Sequence, residues 1–364
     1  MTIAESRTNN FSSLRLVFAV LVIVAHTPEI IDGNRSRELL TMAFGTMSFG
    51  QLAVDGFFLI SGYLITKSLI NTPSLKVFFL NRVARIVPGF LVAFWLCVIA
   101  LAPFVSGEPI FTFDVLSKAV IRSLSLGSPQ APGVFAALPY PHLNIPMWTI
   151  RWEFICYTTA AALSVVGFLT ANRRVFVLAG TAVFLVANIL QLALHYENLM
   201  IGLAIRLPSV FMTGALFYLY REKITYRGST AAISTVALLV CMFFLPLAEV
   251  AFTVLGGYLI FWFAFKVPAT EISGLANRFD ISYGLYLYAW PIGSALVLAF
   301  PDGNPWLIGI TTVSVAAVFG LASWLVIERP ALNAAKKWRD CQITLTPPPV
   351  ANLENAVRAS DPSA

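Results

Sequence analysis

Apolar runs of about twenty residues recur along this chain from Leu14 to Glu328, and a helix of about that length crosses the hydrocarbon core of a bilayer. Read on that basis, ten spans fall at roughly 12–31, 43–66, 88–106, 147–169, 175–194, 199–219, 230–248, 250–266, 280–300 and 306–328. Composition supports the same class. Apolar residues are 58% of the chain and charged residues 12%, against about 45–50% and about 25% in soluble domains. The expected fold is therefore an all-α, polytopic membrane helix bundle over 1–340, with a disordered cytoplasmic tail over 341–364. The sixth span is interrupted by Arg206 and Pro208, and a very short turn separates the seventh from the eighth.

The loop charges test this count. With both termini cytoplasmic, seventeen Lys and Arg residues fall in inside segments and only Arg35, Arg37, Lys118 and Arg122 fall outside, as the positive-inside rule requires. An odd number of spans would break the alternation. The net charge of +6 is thus accounted for by membrane orientation, and no basic stretch interleaved with aromatics suggests nucleic acid. Cys97, Cys156, Cys241 and Cys341 contain no CxxC pair, so neither a disulfide nor a metal site is expected. The first apolar run carries Arg15 and ends in His26-Thr27-Pro28, which reads as a retained helix rather than a signal peptide. Residues 107–146 form the longest external loop, with a short amphipathic helix expected near 113–126.

Ionisable groups at membrane depth cost about 2.5–3.5 kcal/mol each on insertion scales, so each needs a partner, water or a function. They are Arg15, His26, Asp55, Arg151, Glu153, Arg206 and Glu328. Arg15 and His26 are eleven residues apart, about 16 Å and three turns, which places them on one face of the first helix. Separately, a snorkelling arginine and a helix-end histidine bonded to a carbonyl would explain them. Topology puts Glu153 at a depth similar to His26, where a carboxylate would fix the imidazole tautomer and let it accept a hydroxyl proton. An ion pair of Glu153 with Arg151 or Arg206 is the alternative. Asp55 and Ser61 lie in Asp55-Gly56-Phe57-Phe58-Leu59-Ile60-Ser61-Gly62-Tyr63, whose small residues suit close helix packing. Arg82 and Arg85, three apart on one helix face, suit phosphate binding as well as plain positive-inside charge. Of the other histidines, His142 reads as a loop residue and His195 as a solvated one.

These stretches occur in an order that resembles the acyltransferase-3 family of membrane-bound O-acyltransferases, which acylate cell-surface carbohydrates and some secreted small molecules. The matching segments are Leu14-Arg15 through His26; Gly56 to Ile65; Arg82-Val83-Ala84-Arg85-Ile86-Val87-Pro88; Met147-Trp148-Thr149-Ile150-Arg151-Trp152-Glu153; Ser282-Tyr283-Gly284-Leu285-Tyr286-Leu287; and Ile327-Glu328-Arg329-Pro330. The resemblance implies an acyl-CoA donor, most often acetyl-CoA, on the cytoplasmic side, with Arg82, Arg85, Ser282, Tyr283 and Tyr286 serving it. It implies that Arg15 and His26 are essential and that the Trp148–Glu153 motif serves the same site, with Asp55, Ser61, Trp148, Arg151 and Arg206 in substrate or structural roles. The acceptor would be a polysaccharide, lipid-linked sugar or glycolipid, and the location the plasma membrane. No appended soluble domain is expected. Many relatives carry histidine before the Trp-Pro that follows the serine–tyrosine motif, where this chain has Ala289. The chemistry expected is O-acyl transfer with His26 as general base and Glu153 orienting it. A proton-coupled transporter is the rival, but it predicts inverted repeats, and none is visible in the sequence.

Overall fold

The computed structural model describes residues 9–345, apart from 73, 171 and 197. The helices in chain order are α1 (Phe11–Asp32), α2 (Leu39–Phe44), α3 (Phe49–Asn71), α4 (Leu75–Val105), α5 (Phe113–Leu124), α6 (Trp148–Val165), α7 (Arg174–Ala193), α8 (Leu199–Leu219), α9 (Gly228–Cys241), α10 (Leu245–Lys266), α11 (Glu271–Arg278), α12 (Ser282–Ala299), α13 (Pro305–Ser323) and α14 (Arg329–Leu345). A π-helical turn, Trp324–Glu328, joins α13 to α14 in one continuous rod. Among the described residues no strand forms, only an isolated bridge between Ser106 and Val134. Seven of these rods are long and apolar enough to cross a bilayer: α1, α3, α4, α7, α8, α10 and the α13–α14 rod. The other three expected spans coincide with α6, α9 and α12, of 18, 14 and 18 residues.

Three boundaries differ from the sequence reading. The third expected span is α4, which begins at Leu75, not near 88, so Arg82 and Arg85 lie well inside the helix rather than at its mouth. Ser74 starts it by accepting a hydrogen bond from the Val77 amide, and Pro88 is carried within the helix, where it removes a single backbone donor. The turn between the seventh and eighth spans falls at residues 242–244 because Pro246 opens α10, a position where a missing amide hydrogen is harmless. Helix α14 runs to Leu345, into the stretch expected as tail; the rest of that expectation, residues 346–364, lies outside the described residues.

Glycines set the closest contacts. A Cβ on Gly62 would lie 1.9 Å from the Phe211 carbonyl oxygen, and one on Gly214 would lie 2.1 Å from that of Leu59, so α3 and α8 cross backbone to backbone. Gly284 and Gly320 do the same for α12 and α13, where a Cβ on Gly284 would meet the Gly320 Cα at 2.6 Å. Helix α1 packs against α3, α12 and α13, which places it between these two tight pairs. Peripheral helices show the opposite character. Val175, Val183, Val186 and Leu190 of α7, and Ile233, Val236 and Val240 of α9, are exposed apolar side chains. They face outward, as lipid allows and water would not. Arg15, Lys67, Arg82, Arg85 and Arg339 gather toward one end of the bundle around a common cavity, called here the basic end.

Between α5 and α6 the chain dips into the bundle. Asn144 is fully buried and its side chain donates to the Leu287 carbonyl at 2.7 Å. Leu287 is the sixth residue of α12, so the segment leading into α6 is anchored well inside the bundle, about 8 Å along α12 from its first residue. Helix α5 is the amphipathic loop helix expected near 113–126, started by Thr112 and with Asp114 and Arg122 at the ends that favour each charge.

Candidate active site

Helix α1 carries its two charged residues to two different cavities. At the end away from the basic residues, His26 Nδ1 lies 2.7 Å from Glu29 Oε2, one turn later on the same helix. The other Glu29 oxygen accepts from Arg35 Nη2 at 3.1 Å. A carboxylate only accepts, so Nδ1 carries a hydrogen, and in the neutral ring the lone pair is then on Nε2. The His26 and Trp290 rings meet in a T-shaped contact, with ring centres 5.0 Å apart and planes at 80°. Trp290 is held in turn by donating Nε1–H to the His142 carbonyl at 3.1 Å. A cavity of about 10 Å³ adjoins His26, lined also by Thr27, Tyr286, Ala289, Trp290 and Thr312, space for about one water. Ala289, which stands where many relatives carry histidine, therefore borders the same space as His26.

Glu153 is not the partner of His26. Its Oε1 accepts from the Ser61 hydroxyl at 2.7 Å and from the Tyr157 hydroxyl, and it lines a second, much larger cavity. The expected depth match fails because α6 does not start at the membrane surface. Asn144 pins the preceding loop inside the bundle, so Glu153 lies deeper than the span boundaries indicate. Glu29, missing from the set of membrane-depth charges in the sequence, takes the place beside His26. Its i, i+3 spacing is the signal that identifies it.

The larger cavity has a volume of about 640 Å³. Arg15, Lys67, Arg82, Arg85 and Arg339 contribute its cationic groups, and Glu153 and Asp280 its carboxylates. Ser282, Tyr283 and Tyr286 line it as well, so the set drawn from the serine–tyrosine motif converges with Arg82 and Arg85. The two arginines are not equivalent. Arg85 Nη2 donates to Asp280 Oδ2 at 2.5 Å, and Nη1 is 4.0 Å from Glu328 Oε2. Asp280 also accepts from Ser282 at 2.8 Å, and Glu328 from Ser323 at 3.0 Å. Burial pushes the Asp280 carboxyl up, but Arg85, Arg15 and the Ser282 hydroxyl outweigh it and hold it below the usual carboxylate range. Arg85 thus ties α4 to α12 and to the start of α14. By contrast, among the described residues no carboxylate lies within ion-pair distance of Arg15 or Arg82, and the Arg82 Nε is buried without a hydrogen-bond partner. These are the two arginines left to meet an anion.

Tyr286 lines both cavities. Its hydroxyl lies 2.6 Å from that of Thr149 and donates to the Pro146 carbonyl, and its ring stands against Phe57 at 6.2 Å. The wall between the basic cavity and His26 is therefore one side chain thick at this point. Tyr283 is fixed by donating to the Ile86 carbonyl at 2.9 Å.

The remaining expected residues lie apart from both cavities. Arg206 bonds Asp55 at 2.8 Å and approaches Glu249 at 3.8 Å. Glu249 also accepts from Asn188 at 2.9 Å and from Gln51. This buried cluster joins α3, α7, α8 and α10, and neither Asp55 nor Arg206 pairs with Glu153. Glu249 is another group missing from the sequence-based set, since it falls at the misplaced boundary between two spans. Arg151 is exposed and donates to the Ser125 carbonyl and hydroxyl at 2.8 and 2.9 Å, which satisfies the end of α5. Trp148 is half-buried against the apolar core. His142 and His195 are exposed.

A family model described as "Acyltransferase domain", of the acyltransferase-3 type, matches residues 9–329. The chain is similar to the "O-acetyl transferase" of Shigella phage Sf6, 27% identical over 338 residues that cover 90% of this chain and 97% of the relative. It is similar to "Nodulation protein 10" of Rhizobium leguminosarum bv. viciae, 26% identical over 91% of this chain and 95% of that one. A shorter match, 26% identical over 42% of this chain and 38% of the relative, is to "Acyltransferase MdmB" of Streptomyces mycarofaciens. No solved structure matches significantly. With the family model spanning nearly all of the helix bundle, the chain belongs to the acyltransferase-3 family and is a multi-pass membrane acyltransferase.

Proposed function

We propose that the protein moves an acyl group, acetyl in the first instance, from cytoplasmic acyl-CoA to a hydroxyl of a cell-surface polysaccharide, lipid-linked sugar or glycolipid at the opposite side of the plasma membrane. The observation that carries this reading is the two-cavity arrangement: a large arginine-lined cavity and a His26–Glu29 pair, with Tyr286 as their common wall. The family membership and the name of the phage relative support the O-acyl transfer class.

The chemistry follows from the groups in place. Arg15 and Arg82 hold donor phosphates, since guanidinium matches phosphate oxygens with paired donors. The thioester reaches along α1 toward His26, the eleven residues from Arg15 spanning about 16 Å. His26 Nε2 takes the proton of the acceptor hydroxyl as its oxygen attacks the thioester carbonyl. The carbon–sulfur bond then breaks, and the imidazolium returns its proton to the departing thiolate, so that ester and free thiol are the products. Glu29 keeps Nδ1 protonated and stabilises the imidazolium by charge.

Purified protein in nanodiscs supplied with radiolabelled acetyl-CoA and a surface-glycan extract tests this. The His26→Ala variant should lose about 100-fold or more of transfer, the usual scale of general-base catalysis. A correctly inserted His26→Ala protein with wild-type transfer would refute the mechanism. Mass spectrometry of surface glycans from cells with and without the protein identifies the acceptor.

A further inference from the structure

The family domain ends at residue 329, but the basic cavity does not. Helix α14 begins at Arg329 and packs along α4, and it contributes Leu332 and Arg339 to the cavity wall. The two are seven residues apart, so they lie on one face and about 10 Å apart along the helix. Chain direction orders the cavity. On α3 the lining residues run from Val54 through Ser61 and Lys67 to Asn71, the last residue of that helix. On α4 they begin with Asn81. On α6 and α12 they reach Thr149 and Tyr286 at the His26 side. Arg339 therefore stands at the mouth, two turns outward from Leu332, whereas Arg15 and Arg82 stand deeper.

Arg339 is built to change partners. Its Nε and Nη2 both donate to one Asp340 oxygen at 3.1 Å, but Asp340 is the adjacent residue and its side chain is 54% exposed. Such a pair contributes little. Both donors are on the same edge of the guanidinium, an edge able to bind a phosphate monoester in bidentate fashion. An acyl-CoA carries two separated anionic groups, a diphosphate and a ribose 3′-phosphate. The cavity likewise has two separated arginine positions, the deep pair and the mouth.

We infer that Arg339, outside the family domain, binds the ribose 3′-phosphate of the acyl-CoA donor and makes the enzyme discriminate against donors that lack it. This rests on the acyl-CoA reading above. A phosphate monoester at this position could also belong to an anionic lipid headgroup, and the experiment separates the two. Transfer rates are measured in nanodiscs with acetyl-CoA and with acetyl-dephospho-CoA, for wild type, Arg339→Gln and Arg339→Lys. Wild type should prefer acetyl-CoA by about tenfold in kcat/KM, the scale of one charge-assisted phosphate contact. Arg339→Gln should bring that ratio close to one, chiefly through KM, and Arg339→Lys should restore part of it. Adenosine 3′,5′-bisphosphate should inhibit wild type more strongly than adenosine 5′-monophosphate, and Arg339→Gln should remove the difference. An unchanged ratio in Arg339→Gln overturns the inference while leaving the donor reading intact. An equal loss with both donors, appearing only in nanodiscs of anionic lipid, assigns the arginine to a headgroup and also overturns it. A wild-type protein that uses neither donor removes the donor reading itself.

Discussion

Replacing Glu29 by glutamine separates the His26–Glu29 pair from the His26–Glu153 pair that the sequence suggests. The change keeps size and a hydrogen-bonding oxygen but removes the charge that faces Nδ1. Glu29 is 8% exposed and His26 17%, so the lost charge is poorly replaced by water. A hydrogen bond to a charged group contributes about 1.5–3 kcal/mol, and here it acts most strongly when the imidazole is protonated in the transition state. That predicts a fall in kcat of about 10- to 100-fold. Arg35, the other partner of Glu29, is 46% exposed, and its loss adds little. The assay is single-turnover transfer from radiolabelled acetyl-CoA with acceptor in excess, run beside Glu153→Gln. Glu153 bonds Ser61 and Tyr157 in the donor cavity, so its variant should act mainly on KM for the donor. Wild-type kcat in Glu29→Gln together with a collapse of kcat in Glu153→Gln would refute the reasoning and restore the sequence-based pairing.

Arg82→Gln should raise KM for the donor about tenfold with the melting temperature unchanged, because Arg82 has no carboxylate to satisfy; Arg85→Gln should instead lower the melting temperature, since it leaves Asp280 and Glu328 without their cation. Arg206→Leu should cost about 3–5 kcal/mol by stranding buried Asp55 and Glu249, read as a large drop in thermal stability in detergent; an unshifted melting curve would show that the cluster is not structural. Gly62→Ala drives a methyl into the Phe211 carbonyl, and the overpacking should cost about 3 kcal/mol or more, whereas Gly180→Ala, with open space at its Cβ, should be silent in the same melt. Acid titration gives a fourth check. Asp280 is held below its ordinary pKa, so its contribution is present above the unfolded value of about 3.9 and is lost as pH falls through the lower native one; Asp280→Asn should flatten the stability curve in that range.

The apolar period and the charge bias were enough to lay out the bundle, because a spanning helix is defined by its own composition. Arg15, Arg82 and Gly62 stand out in the sequence by charge or size, whereas Ser282, Tyr283 and Tyr286 enter the site only through the family resemblance. What the sequence did not reveal depends on azimuth and on loops. Depth along a helix is read from residue number, but the face a residue presents to another helix is not, and Glu153 therefore looked like the neighbour of His26. The dip of the loop at Asn144 depends on one long-range bond to Leu287, which leaves no periodic trace. The inequality of Arg82 and Arg85 likewise depends on Asp280, distant by 195 residues. Glu29 lies inside the first expected span, 12–31, one turn from His26, so its i, i+3 spacing makes the pair legible in the sequence; Pro28 does not end the helix, which continues to Asp32.

Helix α4 has 31 residues and the Pro305–Cys341 part of the α13–α14 rod 37, about 46 and 55 Å of length, against about 30 Å of hydrocarbon. A tilt of about 20° shortens α4 only to about 43 Å. The surplus of both falls at the basic end, since the mouth residues Asn81 and Arg339 lie toward that end of each. The walls of the mouth thus rise about 13 Å above the acyl chains. The negative surface potential of an anionic leaflet decays over a Debye length of about 8 Å at physiological ionic strength. The headgroups take up about 6 Å of that height, so the rim clears the charged surface by about 7 Å, close to one Debye length, and a polyanionic nucleotide arriving there meets less than about half of the lipid's surface potential. The protein's own arginines at the rim act against this weakened repulsion.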